Sequence, residues 1–240
     1  DRGERAADAI RGQVPAASVE VMVLDLANLD DVRRFAAEYR QRHDRLDLLI
    51  NNAGVMIPPP GRTAQGIELQ FGVNVIGHFA LTGLLLDLLE ATPGSRIVTV
   101  SSIAHRRARI DFGNLRLEKP YRANREYGQS KLGNLLFTLE LQRRLERVGY
   151  QTASIGAHPG VTATELTRHN RVVAVLSKWF SSTQDIGALP IPEPRLELVR
   201  RESKLRVDLQ KRFRLNGDVG EEVRRILVDP VEPGLVRRQF

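Results

Sequence analysis

Short runs of β-branched and aliphatic residues alternate along the chain with longer stretches in which apolar residues recur every three or four positions. Val19-Glu-Val-Met-Val-Leu-Asp25, Leu46–Ile50, Ile97–Val100 and Thr152–Ala157 have the length and composition of buried strands. The stretches around them read as helices. Arg5–Arg11 reads as the end of one. Leu29–Tyr39 gathers Leu29, Val32, Phe35 and Ala36 on one face, with Asn28 placed to cap its start. Gly66–Ala91 is a long helical stretch that Pro93-Gly94 breaks. Arg125–Arg147 is another, carrying Leu132, Leu135, Leu136, Leu139 and Leu145 and ending at Gly149. Strands alternating with helices imply βαβ units, and so an α/β fold with a mostly parallel sheet.

At 240 residues the chain is long enough for one such domain. It contains no cysteine, which excludes a disulfide framework and a Cys-based metal or redox site. His43, His78, His105 and His169 lack metal-ligand spacing, so no metal site is expected. The formal charge is +7, but no aromatic interleaving or nucleic-acid-binding motif accompanies it, so no nucleic-acid partner is expected. The longest apolar stretch, Phe79–Leu89, is interrupted by Asp87 and is too short to span a bilayer. The start shows no secretory pattern. With the lack of cysteine, these features lead to the expectation of a cytoplasmic protein.

The sharpest chemical signal is Tyr127 and Lys131 in Glu126-Tyr-Gly-Gln-Ser-Lys131. Four residues apart on a helix, they share a face. A lysine ammonium beside a phenol favours the phenolate, which would tune Tyr127 for acid/base work. Other features stand in order around this pair. Leu46–Ile50 ends in Asn51-Asn52-Ala53-Gly54. Asn74 lies in the following helical stretch, and the run Arg96–Val100 ends in Ser101-Ser102. Ala157-His-Pro159-Gly160-Val161-Thr-Ala-Thr164 follows Tyr127 and Lys131. No G-x-S-x-G elbow is present, which removes a serine-hydrolase reading.

These five features, in this order, resemble the short-chain dehydrogenase/reductase family over roughly residues 1–190. The resemblance implies a Rossmann-like, doubly wound parallel sheet and Asn74, Ser102, Tyr127 and Lys131 as catalytic residues. It implies NADP, or else NAD, as cofactor. Asp25, Leu26, Asn51, Ala53 and Gly54 would lie on its adenosine side. Tyr127, Lys131, Pro159, Gly160, Val161 and Thr164 would lie on its nicotinamide side. Ser102 is favoured over Ser101 as the catalytic serine. Asn74 would hold either a structural hydrogen bond or a relay water leading to Lys131. Tyr121, followed by Arg125 without a helix clearly beginning before it, is set aside, and His158 is read as packing.

The long span from Ser102 to Tyr127, with Gly54-Val-Met56 and Tyr127-Gly-Gln-Ser-Lys-Leu-Gly-Asn134, resembles the retinol-dehydrogenase-like branch. That branch implies interconversion of an alcohol and a carbonyl on a lipophilic small molecule. It gives Leu166–Phe180 the place of an apolar lid. A homodimer or homotetramer is implied through the helices holding Asn74 and Tyr127. The family's T-G-x-x-x-G-I-G turn is not in this sequence, so an N-terminally truncated core is expected, lacking the first strand, first helix and second strand. The core would occupy residues 1–190, with a charged, helical tail over 191–240. The alternative is a catalytically silent family fragment serving as an interaction module.

Overall fold

The computed structural model describes residues 2–158. The expectations for Pro159, Gly160, Val161, Thr164, the lid over 166–180 and the tail over 191–240 lie outside the described residues. Within them the elements run α1 (Arg2–Gln13), α2 (Leu29–Arg42), β1 (Leu48–Asn51), α3 (Leu69–Glu90), β2 (Arg96–Val100), α4 (Ala123–Val148) and β3 (Ala153–Ala157). The strands pair in parallel in the order β1-β2-β3, with Leu48 opposite Arg96 and Arg96 opposite Ala153. All three therefore finish at the same edge of the sheet, where ligands bind in open α/β folds.

The helices start and stop where local chemistry directs. The Asn28 side chain accepts from the Asp30 N–H at 3.0 Å and caps α2. Asp30 and Asp31 sit in its first turn and Arg40 and Arg42 in its last, each sign matching the helix dipole. The Arg40 guanidinium then forks onto the Asp87 carboxylate and ties α2 to α3. α4 ends at Gly149, whose φ of 80° lies in the left-handed region that glycine enters without penalty.

The core lies mainly between α2 and α3. Leu29, Val32 and Ala36 of α2 meet Val73, Ile76, Ala80, Leu81 and Leu85 of α3, all buried. α4 packs against α3 on one side and β2 and β3 on another. Two close approaches set these spacings. A Cβ at Gly77 would fall 2.6 Å from the Leu26 carbonyl oxygen, and one at Gly133 would fall 3.0 Å from Val75. Glycine is what lets the Leu26 segment and α4 lie so near α3.

Two expectations are corrected. Val19–Asp25 forms no strand. A strand needs a neighbouring ladder for its N–H and C=O groups, and among the described residues none runs beside this segment. Arginines take up its carbonyls instead: Arg11 donates to Val19 O at 2.7 Å and Arg34 to Val23 O at 2.9 Å. Val23 is left 74% exposed. Second, the apolar stretch taken as too short to span a bilayer belongs to a continuous 22-residue helix, α3, with a mean hydropathy of 1.6 over its most apolar window. That is long and apolar enough to cross a membrane, but 67% of the window is buried inside the protein, as expected of a core helix.

The Gly77 contact gives a direct test. Gly77→Ala pushes a methyl group into the Leu26 backbone, an overpacking worth about 1–3 kcal/mol, so the melting temperature should fall by roughly 3–10 °C. An unchanged melting curve would contradict the close approach.

Candidate active site

The first residue after the NNA run, Gly54, begins a loop that lacks regular structure, and α3 supplies what a neighbouring strand would have supplied. The Asn74 amide pairs with Val55 on both sides: Val55 N–H donates to Asn74 Oδ1 at 2.9 Å and Asn74 Nδ2 donates to Val55 O at 3.0 Å. One turn earlier, Gln70 Oε1 accepts from Ile57 N–H at 2.9 Å. Residues i and i+4 of one helix thus hold Val55 and Ile57 like two rungs. Ile57 needs the support. Its φ of 54° is in the left-handed region, strained for a β-branched residue.

Asn74 sits in a π-helical turn, Gly72–Gly77, inside α3. Such wide turns concentrate at functional sites. Asn74 Nδ2 also donates to Ser130 Oγ at 3.0 Å, and Ser130 Oγ donates to Tyr127 O at 2.8 Å. His78 Nδ1 lies 3.0 Å from Asn74 O, so that nitrogen carries the proton. Burial and the nearby Lys131 charge hold the His78 pKa below its ordinary value and keep the ring neutral. Both polar atoms of the Asn74 amide are engaged, which is the arrangement of the structural hydrogen-bond reading.

The same edge gathers the other residues. Ser101 Oγ donates to Lys131 O at 2.8 Å, while Ser102 Oγ accepts from Ala104 N–H at 3.3 Å and lies near enough to the Tyr127 phenol to draw its pKa down. The two serines therefore do different work, and Ser102 is the one beside the phenol. Lys131 is buried, with Nζ donating to Val100 O at 3.1 Å and lying 5.7 Å from the Tyr127 ring centroid. Asn134 Nδ2 donates to the same carbonyl at 2.9 Å.

Burial pushes Lys131 down to about 8 and raises the Tyr127 pKa, the latter opposed in part by the nearby Ser102 hydroxyl. The expectation that Lys131 lowers the phenol pKa is corrected for this arrangement. Its ammonium is turned to the Val100 carbonyl, and burial is the largest influence on the phenol.

The adenosine-side candidates are more dispersed. Asn51 is buried, with Nδ2 donating to Thr82 at 3.0 Å and reaching Thr99 at 3.4 Å, so its side chain binds β1 to α3 and β2. Ala53 is exposed beside it. The Asp25 carboxylate accepts from Ala27 N–H at 2.8 Å within its own turn. Leu26 is buried, its carbonyl against Gly77. Gly54 adjoins the centre itself. A Cβ there would fall 2.9 Å from Asn74 Oδ1 and 3.8 Å from Lys131 Nζ.

A family model for short chain dehydrogenase matches residues 1–172. The chain belongs to the short-chain dehydrogenase family. It is 46% identical over 184 residues to human retinol dehydrogenase 13, covering 76% of this chain and 54% of that one. It is 46% identical over 180 residues to mouse retinol dehydrogenase 11, covering 75% and 56%. The chain thus spans about half the length of these relatives. Among solved structures it resembles an uncharacterized protein from Mycobacterium paratuberculosis, 40% identical with a TM-score of 0.59, covering 78% of this chain and 65% of that one. It shares its fold with a short chain dehydrogenase from Burkholderia cenocepacia solved in complex with NADP, 22% identical with a TM-score of 0.59, covering 78% and 74%. The parallel sheet and its helices are thus those of a Rossmann-like α/β fold.

The expected cytoplasmic location does not stand. The matched retinol dehydrogenases 11, 12 and 13 are membrane-associated. A missing leader pattern and a missing cysteine place no protein in a compartment.

Sequence reasoning passed over Gln70, Ser130 and Tyr121. Gln70 was within reach, since it lies one helical turn before Asn74. Tyr121 was set aside for lacking a helix, yet its partners are a loop carbonyl, Pro58 O, and Gln70 of α3.

The Lys131 shift has a consequence for stability. Its ordinary value of 10.5 falls to about 8 in the folded chain, so between these values the unfolded chain binds the proton and the native chain does not. Stability relative to Lys131→Met should therefore rise as pH increases from 8 to 10, below the range where the Tyr127 phenol ionises. Denaturant melts at several pH values check this. A difference that stays flat or falls would mean that Lys131 keeps its proton when folded.

Proposed function

We propose that the chain carries the catalytic centre of an oxidoreductase that interconverts an alcohol and a carbonyl on a lipophilic small molecule with NADP(H). The observation that carries this reading is the meeting of Ser102, Tyr127 and Lys131 at the carboxyl edge of a parallel sheet. A phenol, a hydroxyl and a buried amine there form an acid and its orienting donors.

The residues fit a nicotinamide cofactor. Gly54 leaves open the space a Cβ would fill beside Asn74 and Lys131. Lys131 has three N–H donors and the Val100 carbonyl takes one, which leaves donors for ribose hydroxyls. Lys131 and Tyr127 would hold the ribose and Gly54 would lie against the cofactor. When bound, the nicotinamide supplies or accepts the hydride. The NADP bound to the Burkholderia cenocepacia relative and the +7 charge support NADP over NAD.

Ser102 donates to the substrate carbonyl oxygen and Tyr127 gives that oxygen its proton. Burial raises the Tyr127 pKa above its ordinary value, so near pH 7 the phenol carries the proton it donates. The names of the retinol dehydrogenase relatives support a retinoid-like, apolar aldehyde or alcohol as substrate.

Tyr127→Phe should lower kcat for reduction of an apolar aldehyde by about 10²–10⁴ while leaving NADPH affinity within a few-fold, because only the proton donor is removed. Retained turnover in the folded variant would remove Tyr127 from the acid role.

A further inference from the structure

The span from Ser102 to Tyr127 is stitched to both of its neighbours. Toward α4, Asp111 N–H donates to Gln129 at 2.6 Å and Asn114 to the buried Glu126 at 3.3 Å. Toward α3, Glu68 N–H donates to Leu115 O at 2.8 Å. One side chain at its end reaches across to the opposite loop. The Tyr121 hydroxyl donates to Pro58 O at 2.7 Å and accepts from Gln70 Nε2 at 3.0 Å. Gln70 is fully buried, and its other amide atom holds the strained Ile57. Tyr121, Gln70, Ile57 and Pro58 therefore form a closed set of bonds between two loops. One loop begins at Gly54 beside Lys131, and the other leads into the α4 turn that carries Tyr127.

We infer that Tyr121 is a positioning residue for substrate: directly and through Gln70, it fixes the Val55–Pro58 loop against the Tyr127–Lys131 centre and sets the width of the apolar wall that a bulky substrate meets. The inference rests on the oxidoreductase reading above. Met56, Ile57 and Pro58 carry apolar side chains while Val55 packs against the hydrophobic core, so a wall built from this loop would discriminate by hydrocarbon bulk. Without Tyr121, the Pro58 carbonyl and one Gln70 N–H lose a partner, and nothing else that reaches Pro58 comes from the Ser102–Tyr127 span among the described residues. Burial pushes the Tyr121 phenol up to about 12, so it remains a donor to Pro58 at every working pH.

Tyr121→Phe in the full protein removes one hydroxyl and keeps the ring. Amide exchange at Ile57 should quicken at least tenfold, with α4 amides unchanged. KM for a long-chain aldehyde should rise about tenfold, while kcat, the KM for propanal and the affinity for NADPH stay within twofold. A rise in KM with kcat unchanged marks lost substrate binding, which a general loosening of the fold does not produce. Unchanged exchange at Ile57 overturns the hold on the loop. Quickened exchange with both aldehyde KM values unchanged, or a fall in kcat for both aldehydes, overturns the role toward substrate. Wild-type turnover separates the two failures. If the wild-type protein binds NADPH and reduces no carbonyl, the oxidoreductase reading falls and this inference with it. Normal wild-type turnover beside an unaltered variant sinks the inference alone.

Discussion

The pairing of the Asn74 amide with the backbone of Val55 is the contact on which the rest of the site depends. A loop leaving the end of a strand carries N–H and C=O groups that must find partners once buried. Asn74 satisfies one of each with a single side chain, and its second N–H reaches Ser130 on α4. That one amide links β1's exit, α3 and the turn of α4 that carries Tyr127. Breaking it would strand several buried polar groups, each costing about 1–3 kcal/mol. The π-helical turn in α3 surrounds the residue on which these contacts converge.

Desolvation sets the electrostatics of the centre. Lys131 and Tyr127 lie one helical turn apart, and spacing alone suggests an ammonium that steadies a phenolate. In the folded chain the amine is buried and bonded to a backbone carbonyl, and the phenol is half-buried near Ser102. Each is pushed toward its neutral form. A neutral phenol has its proton to give.

Much of this was legible in the sequence. The helices α2, α3 and α4 and the three strands follow from period and breakers, with ends that shift by a few residues. The Asn28 cap was readable because its side chain bonds two residues away. The placing of Tyr127 and Lys131 on one helix face was legible from their spacing, while Ser102 was joined to them only through the family resemblance. What failed depended on distant partners. Val19–Asp25 has the composition of a strand, but strand formation is a property of a pair. The direction of the Tyr127 shift depends on burial, which periodicity does not measure. Tyr121 acts on Pro58 and Gln70, more than fifty residues away, across loops without periodicity.

Membership of the short-chain dehydrogenase family and the geometry around Tyr127 point to the same chemistry, although the chain spans about half the length of its curated relatives. The most direct test is a titration of the protein with NADPH, followed by reduced-nicotinamide fluorescence. Saturable binding that weakens markedly in Lys131→Met, whose ammonium is proposed to hold the ribose, is the result expected. A folded protein that shows no saturable binding of NADPH or NADH would contradict the proposal that Gly54, Tyr127 and Lys131 form a cofactor-facing centre.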